Sequence, residues 1–409
     1  MTPAERDGGP AAVEVSAAYL HVPFCARRCR YCDFAIHIDR APSLADWAET
    51  VGAEWRLALE DPTLAIESPL SSLYVGGGTP SLLGPELASA VGRIIGQDHL
   101  PLEGGEWTVE VNPESFSRDT AVAWRGAGVS RVSIGIQSFH EPSLRWMARL
   151  HRAEGAIEAV YNARSAGLNE ISLDLIFGLP AHLERSWTTD LDQALALEVP
   201  HVSLYGLTVE QGTPLAKAIA SGRERHVPGD VYESEYLEAV RRLTAAGYEH
   251  YEVSNFARPG HRARHNPLYW SREPYLGLGN GAHSFIPPRR RWNVHGWSDY
   301  RARIHSGATP LESEEIVTGD AELLERVWLG LRAAEGLDMA SLEEASDQRS
   351  AAAVSELLAT WSGRGLKDDS SDRVRLTAKG WLVLDALSVD LSDCLSTSSY
   401  DHEVVSGAG

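Results

Sequence analysis

Three of the four cysteines in this chain lie in one short segment. Cys25, Cys29 and Cys32 are separated by three and then two residues. Thiolate sulfur is the ligand that iron–sulfur clusters use, and three closely spaced cysteines can hold three irons of a cubane while the fourth iron stays open. An open coordination position marks a metal site that does chemistry. The spacing therefore predicts a [4Fe-4S] cluster with one iron available to a further ligand.

A zinc site is the alternative for the same thiolates, with His21, Asp33 or His37 as its fourth ligand. Structural zinc sites usually combine two pairs of cysteines, and the sequence has no second pair of this kind. The remaining cysteine, Cys394, lies in a serine-rich stretch near the end of the chain. We interpret it as an incidental exposed thiol rather than a fourth ligand.

Composition and charge limit the classes of protein that this chain can represent. Of its 409 residues, 43% are hydrophobic and 23% are charged, as in ordinary globular proteins. The formal net charge of -20 opposes attraction to nucleic acid and to anionic lipid. The N-terminus lacks the features of a signal peptide, and no stretch approaches the roughly 18 apolar residues of a membrane span. We therefore expect a cytoplasmic protein that does not act on nucleic acid.

Short apolar runs alternate with segments of helical period, which predicts an α/β fold with a parallel sheet covered by helices. The predicted strands are Ala18 to Val22, Ser72 to Val75, Trp107 to Val111, Arg131 to Ile136, Ile171 to Ile176 and His201 to Leu207. The predicted helices between them include Leu44 to Leu59, Pro85 to Ile95, Ala153 to Ala166 and Leu183 to Leu197.

Glycines and polar side chains follow the predicted strands at the points where these end. Gly76 to Pro80 follow the second strand, Glu110 and Asn112 end the third, and Gln137 follows the fourth. Asp174 lies on the fifth strand. The C-terminal ends of strands in a parallel barrel open onto one face, where such barrels build their sites. We expect the cysteine segment, which follows the first strand, to open onto the same face.

The cysteine spacing, the aromatic residue after it and the glycines at the end of the second strand resemble the radical S-adenosylmethionine (SAM) superfamily. This resemblance implies a partial (β/α)6 TIM-like barrel whose cluster binds SAM through the open iron. Carried over by position, it implies the SAM contacts Tyr19, Tyr31, Gly76, Gly77, Thr79, Glu110, Gln137, Arg149 and Asp174. For a single strand carboxylate or helix arginine, a buried ion pair or a solvated surface position is the alternative.

The stretches around these residues are similar, more narrowly, to the oxygen-independent coproporphyrinogen III oxidases and the haem chaperones of HemW type. Two features depart from the oxidase pattern. The oxidases carry a fourth cysteine two residues after the third, where this chain has Phe34, and the N-terminal leader here is short. Both departures favour the chaperone branch.

The segment from His265 to Trp270 matches the H-N-x-x-Y-W element of the chaperone branch. An imidazole can be an axial iron ligand, and neighbouring aromatic rings can stack on a porphyrin. His265 is therefore predicted to contact haem, and His283 is a weaker candidate. The alternative is a structural loop in which His265 bonds to the backbone and Trp270 fills the core.

The resemblance implies a [4Fe-4S]- and SAM-binding haem chaperone that transfers haem to acceptor haemoproteins, including acceptors at the membrane. It assigns no catalytic residue. SAM either supplies a radical or triggers transfer or assembly into a homodimer. The alternative is a coproporphyrinogen III oxidase, which performs an oxidative decarboxylation to protoporphyrinogen IX in porphyrin biosynthesis. A radical SAM enzyme that acts on RNA is a third possibility, which the acidic charge disfavours.

Changes in composition along the chain predict four regions. Residues 1–12 read as a disordered leader and residues 13–250 as the radical SAM core. Residues 251–390 read as a C-terminal, mostly helical domain that ends in a winged-helix-like unit, and residues 391–409 as a disordered tail. The boundary near residue 250 rests on a stretch rich in glycine, proline, histidine and aromatic residues.

Overall fold

The structure, a computed structural model, describes residues 12–340 and 348–395. The chain forms two compact units, Met1–Ile316 and Val317–Gly409. Apart from its last residue, the predicted leader 1–12 lies outside the described residues. The predicted tail 391–409 begins too early, because residues 391–395 complete the last helix, and its remainder is also outside the described part.

The strands are numbered in chain order. They are β1 Val13–Val15, β2 Ala17–Val22, β3 Phe24–Cys25, β4 His37–Ile38, β5 Leu64–Ile66, β6 Ser72–Gly77, β7 Glu106–Val111, β8 Arg131–Gln137, β9 Glu170–Phe177, β10 His201–Gly206, β11 Glu249–His250, β12 Asn255–Ala257, β13 Tyr275–Leu278, β14 His283–Ile286, β15 Arg289–Asn293, β16 Leu311–Ile316, β17 Lys367–Asp368 and β18 Arg375–Leu376.

The α-helices are numbered in the same way. They are α1 Leu44–Glu60, α2 Leu87–Ile95, α3 Arg118–Ala127, α4 Glu141–Trp146, α5 Ala153–Ser165, α6 Trp187–Ala196, α7 Pro214–Ala220, α8 Gly229–Ala245, α9 His265–Trp270, α10 Trp297–His305, α11 Gly319–Arg332, α12 Gln348–Gly363, α13 Ala378–Trp381 and α14 Leu384–Leu395. None of the helices in the described part of the chain has the length and apolarity needed to cross a membrane.

The six predicted strands are present and form the centre of a twelve-stranded sheet, in the order β2-β6-β7-β8-β9-β10. All five pairings between these neighbours are parallel. The sheet continues on both sides instead of closing, with β13 next to β2 and the antiparallel β12 next to β10. The prediction of a partial (β/α)6 barrel is therefore confirmed.

The strands and helices form because their apolar residues have the periods that this packing requires. Helix α1 buries Trp47, Val51 and Trp55, spaced four residues apart, so that they share one helix face. Its N-cap, Ser43, accepts a hydrogen bond from the backbone N–H of Asp46. The predicted start of α6 at Leu183 is four residues early, because Glu184 has a left-handed backbone (φ 53°) and the helix begins after its cap.

Residues 251–316 differ from their predicted place in the C-terminal domain. Strand β13 pairs in parallel with β2, and β14, β15 and β16 add antiparallel strands beyond it. The main sheet therefore includes this segment, and the division of the chain falls after Ile316 rather than near residue 250. Local composition could not reveal this, because the pairing joins residues more than two hundred positions apart in the sequence.

The second unit is described separately. It consists mainly of helices, with the short antiparallel pair β17 and β18 before the last two helices. The Trp381 indole donates to the carbonyl of Leu331 (2.8 Å) and so connects α13 to α11. The prediction of a mostly helical C-terminal domain is confirmed, although its first residue is Val317.

Candidate cofactor site

The cysteine segment follows β2 and is held at the C-terminal ends of the parallel strands. Cys25 lies on the short strand β3, which pairs with β4, and its carbonyl accepts a hydrogen bond from the N–H of Asp39 (3.0 Å). Cys25 is buried, and Cys29 and Cys32 are half-buried. Burial raises the pKa of the Cys32 thiol to about 11. The Cys32 thiol is therefore neutral until a metal displaces its proton.

Backbone contacts from two other segments anchor the middle of this loop. The N–H of Arg30 donates to the carbonyl of Met147 (3.2 Å), and the carbonyl of Arg30 accepts from the N–H of Leu215 (2.8 Å). The Arg30 guanidinium lies 4.8 Å from the centre of the Trp146 ring and pairs with Glu224 at 3.2 Å. The loop is thus held between α4 and the start of α7, which limits the positions that its sulfurs can take.

Two side chains donate hydrogen bonds to the cysteine sulfurs. The Thr79 hydroxyl donates to Cys25 Sγ (3.5 Å), and Arg149 Nη1 donates to Cys29 Sγ (3.7 Å). Arg149 Nη2 also donates to Asn112 Oδ1 (2.7 Å) and to the carbonyl of Gly135 (2.6 Å). Donors of this kind favour the thiolate over the thiol, as an iron–sulfur cluster requires. Arg149 Nε is buried without a hydrogen-bond partner among the described residues, which fits an additional anionic ligand.

The zinc alternative finds no support among the described residues. Among the described residues, no three His, Cys, Asp or Glu side chains are placed to share one metal ion. His21 is also unavailable as a fourth ligand, because its Nδ1 is hydrogen bonded to the Tyr19 hydroxyl (3.0 Å) and its Nε2 to the Ala35 carbonyl (3.0 Å). A cubane cluster needs no such convergence, since each thiolate binds a different iron.

The glycines at the end of β6 pack so closely against their neighbours that a side chain would clash there. A Cβ on Gly76 would lie 2.9 Å from the Glu110 carboxylate, and one on Gly78 would lie 2.7 Å from the carbonyl oxygen of Phe24. Gly77 has a φ of 113°, and its N–H donates to Glu110 Oε2 (2.9 Å). The strand end therefore lies between the cysteine loop and the Glu110 carboxylate, with its backbone close to both.

Glu110 and Asp174 lie on the inner side of the barrel strands. Glu110 accepts hydrogen bonds from the Tyr74 hydroxyl (2.9 Å) and from Gly77, and Asp174 accepts one from the Ser133 hydroxyl (3.0 Å). Burial raises the pKa of Glu110 from 4.5 to about 7 and also raises the pKa of Asp174. Among the described residues neither carboxylate forms an ion pair, so both offer acceptors to a cationic or hydroxyl-bearing ligand.

We expect replacement of Glu110 by glutamine to change how stability depends on pH. The pKa of Glu110 is higher in the folded protein than in the unfolded chain, so the folded state binds the proton more tightly. The free energy of unfolding is therefore highest below about pH 4.5, and it falls as the pH rises to about 7. One pKa unit corresponds to 1.36 kcal/mol, and since the side chain is only half-buried we expect a total of about 2 kcal/mol. Between pH 5 and pH 8, wild type should thus lose this much unfolding free energy relative to Glu110→Gln.

Urea unfolding of the protein without cofactors at these two pH values checks the prediction. The same substitution at the exposed Glu103 is the matched control and should show no such trend. Equal pH dependence in wild type and Glu110→Gln would show that burial does not raise the pKa of the Glu110 carboxyl.

The other predicted SAM contacts lie around the same end of the barrel. The Tyr19 ring is stacked on Tyr74 on the inner side, with ring centres 6.0 Å apart. Tyr31, between the second and third cysteines, packs on an apolar cluster that includes Met147 and Leu179. Gln137 ends β8 with a φ of 64°, a strained conformation for a residue with a side chain, next to an irregularity in the pairing with β9.

A small cleft lies beside the loop. Its lining brings together the predicted residues Cys29, Thr79 and Arg149 and adds Asn112 and Glu114. His151 Nδ1 lies 3.3 Å from Glu114 Oε2 and so positions this carboxylate at the cleft. Sequence reasoning assigned no role to Glu114, His151 or Tyr74.

Tyr74 could have been found from the two-residue period of its strand, which places it on the same side as Gly76. Nothing local indicates His151, since its partner Glu114 is thirty-seven positions away.

His265 lies beside the first residues of β6 and β7, and its ring is stacked on Tyr74 with ring centres 5.0 Å apart. Its Nδ1 is hydrogen bonded to the hydroxyl of Ser72 (2.8 Å), the first residue of β6, and its Nε2 to the hydroxyl of Tyr269 (2.7 Å). Its backbone N–H donates to Glu106, the first residue of β7 (3.2 Å). The ring is 1% exposed, and burial lowers its pKa to about 3. These contacts favour the structural alternative, because an iron could reach the ring only if one of its bonds broke.

Comparison with known families assigns both parts of the chain. The family described as Radical SAM superfamily matches residues 19–194, which contain the cysteine loop and the first five strands of the barrel. The family described as HemN C-terminal domain matches residues 317–383, within the second unit.

Curated relatives match nearly the whole chain. Heme chaperone HemW of Mycobacterium tuberculosis (strain H37Rv) is 37% identical over 396 residues, which are 95% of this chain and 97% of that protein. Heme chaperone HemW of Bacillus subtilis (strain 168) is 31% identical over 371 residues, 90% of this chain and 97% of that protein. At these identities and coverages, the shared family is established.

Among solved structures, coproporphyrinogen III oxidase (HemN) from Escherichia coli, a radical SAM enzyme, has the same fold. The two structures superpose with a TM-score of 0.75 at 23% identity, covering 95% of this chain and 91% of the oxidase. At this identity the match supports a shared fold and nothing further. The loop of three cysteines, the barrel and the full-length relatives agree, and the chain therefore belongs to the HemW family of the radical SAM superfamily.

Proposed function

We propose that this protein is a haem chaperone that holds a [4Fe-4S] cluster and SAM, binds haem and transfers it to acceptor haemoproteins. Relatives that cover at least nine tenths of the chain at 31% and 37% identity bear the name heme chaperone. Function is more often retained between proteins that align over their full length than between proteins that share only a fold. The HemN oxidase shares the fold at lower identity.

The observation that separates the chaperone from the oxidase is Phe34. It stands where the oxidases carry a fourth cysteine, and its side chain is 57% exposed beside the cluster loop. Phenylalanine has no atom that can bind iron, transfer a proton or form a thiyl radical. An oxidase that depends on a cysteine at this position would thus lack it here.

The residues at the mouth of the barrel fit both cofactors. Cys25, Cys29 and Cys32 would ligate the cluster, with Thr79 and Arg149 donating hydrogen bonds to two of the sulfurs. The SAM contacts would come from the residues predicted for that role, Tyr19, Tyr31, Gly76, Gly77, Thr79, Glu110, Gln137, Arg149 and Asp174. When both are bound, the cluster and SAM supply one-electron chemistry.

The chain's own groups have separable tasks in this proposal. Glu110 and Asp174 offer acceptors on the inner side of the barrel, and the half-buried Arg149 guanidinium offers a cation at the cleft. Acceptor haemoproteins, a homodimeric state and a cytoplasmic location stay predictions from the sequence.

The test uses the full-length protein after anaerobic reconstitution with iron and sulfide. We expect stoichiometric haem binding in a titration followed by absorbance, and no decarboxylated product when SAM, a reductant and coproporphyrinogen III are supplied. The matched control omits the reductant and measures any product that forms without radical chemistry. Formation of protoporphyrinogen IX would instead identify an oxidase that works without the fourth cysteine, and failure to bind haem would contradict the chaperone function.

A further inference from the structure

The outer strands of the sheet present a histidine that the barrel site does not use. His283 is the first residue of β14, and its side chain is exposed. No hydrogen bond from its ring to any residue in the described part of the chain is present, in contrast to His265, whose two ring nitrogens are both occupied.

Trp292 holds this imidazole in place. The two residues are directly paired across β14 and β15, and their rings are stacked with centres 5.6 Å apart and planes 22° apart. Since a ligating imidazole stands upright on a haem plane, the parallel indole would meet the same plane with its edge. Edge-to-face contact is a preferred arrangement of aromatic systems. The pair thus offers an iron ligand and an adjacent contact for the macrocycle.

A cationic group, Arg290, lies next to this pair on the same side of the sheet. Arg290 is two residues from Trp292 on β15, and residues two apart on a strand face the same side. Its guanidinium lies 5.5 Å from the centre of the Phe285 ring and pairs with Glu315 at 2.9 Å. Glu315 is half exposed, so this ion pair contributes little and a propionate could replace or join it.

The segment that leads into His283 packs against the cysteine loop. Asn280 Nδ2 donates to the carbonyl of Ala35 (3.0 Å), three residues after Cys32. Gly281 is so close to the same residue that a Cβ on it would lie 2.5 Å from Ala35 Cβ. His283 is thus two residues from a direct contact with the loop that carries the cluster ligands.

We propose that haem binds on this sheet face, with His283 as axial iron ligand, Trp292 against the macrocycle and Arg290 as a partner of a propionate. The proposal rests on the haem chaperone function above and adds the place where haem is held. It replaces His265 as the candidate ligand. An imidazole, an aromatic edge and a guanidinium within one pair of strands can contact the iron, the macrocycle and one carboxylate of an iron porphyrin.

The experiment titrates the reconstituted full-length protein with ferric haem and compares wild type with His283→Ala and His283→Met. In His283→Ala we expect a loss of affinity above roughly 10-fold, since losing a metal ligand costs more than losing the partner of one. The ferric EPR signal of the histidine-ligated haem should also change. His283→Met should keep haem bound but shift the spectrum and raise the reduction potential, as a thioether ligand does.

His226→Ala is the matched control, because this histidine is also exposed but lies in the segment between α7 and α8. It should bind haem like wild type. If His283→Ala or His283→Met keeps the affinity and the spectrum of wild type, the proposed haem site is wrong while the chaperone function stands. If wild type itself binds no haem, the proposed chaperone function is wrong. The two negative results are therefore distinguishable.

Discussion

Replacement of Cys29 by serine should abolish the iron–sulfur cluster, with loss of nearly all bound iron and of the brown absorbance after reconstitution. A serine hydroxyl is a poor ligand for soft iron–sulfur centres, and the loop has only three thiolates to offer. The substitution also removes the sulfur that accepts the hydrogen bond from Arg149. Iron and sulfide analysis, together with the absorbance spectrum, measures the outcome.

Cys394→Ser is the matched control for this experiment. Cys394 lies on α14 in the second unit and is half-buried like Cys29, so the two variants differ mainly in the role of the sulfur. We expect the control to hold as much iron as wild type. A Cys29→Ser protein with the iron content of wild type, or a Cys394→Ser protein without iron, would refute the ligand assignment.

Replacement of Arg185 by methionine should lower the free energy of unfolding by about 3–5 kcal/mol, the usual cost of breaking a buried ion pair by removing one partner. The Arg185 side chain is 3% exposed and pairs with Glu235 at 2.6 Å and with Asp190 at 3.4 Å. Both carboxylates also hold strand ends at the barrel mouth. Asp190 accepts from the N–H of Phe139, and Glu235 accepts from the N–H of Gly178.

Urea unfolding followed by circular dichroism measures this loss, and methionine is chosen because it retains most of the volume of the arginine stem. Arg241→Met on α8 is the control, since that arginine is 65% exposed and its pairing with Glu238 is on the surface. It should leave stability almost unchanged. Equal effects of the two substitutions would mean that the buried carboxylates are stabilised by other groups and that the ion-pair network does not depend on Arg185.

Much of the site follows from local patterns in the sequence. No tertiary contact is needed to predict a cluster from the spacing of Cys25, Cys29 and Cys32, or a close backbone approach from the glycines Gly76 to Gly78. The six barrel strands were predictable as well, because buried parallel strands are nearly continuous apolar runs. Since parallel strands place their C-terminal ends together, the sequence also indicated that Glu110, Asp174 and the cysteine loop share one end of the barrel.

Tertiary structure alone decided how the rest of the chain is used. The pairing of β13 with β2 brings residues 275–316 into the main sheet, and no local pattern reports a partner so distant in the sequence. The two histidines illustrate the consequence. A sequence motif singled out His265, yet its ring is enclosed by Ser72 and Tyr269, whereas the exposed His283 is stacked on Trp292.

The sequence by itself thus determined the barrel and predicted the cofactor chemistry, because thiolate spacing and strand periodicity are local properties. Which imidazole is accessible depends on burial and on hydrogen bonds between distant residues, and these exist only after the chain has folded.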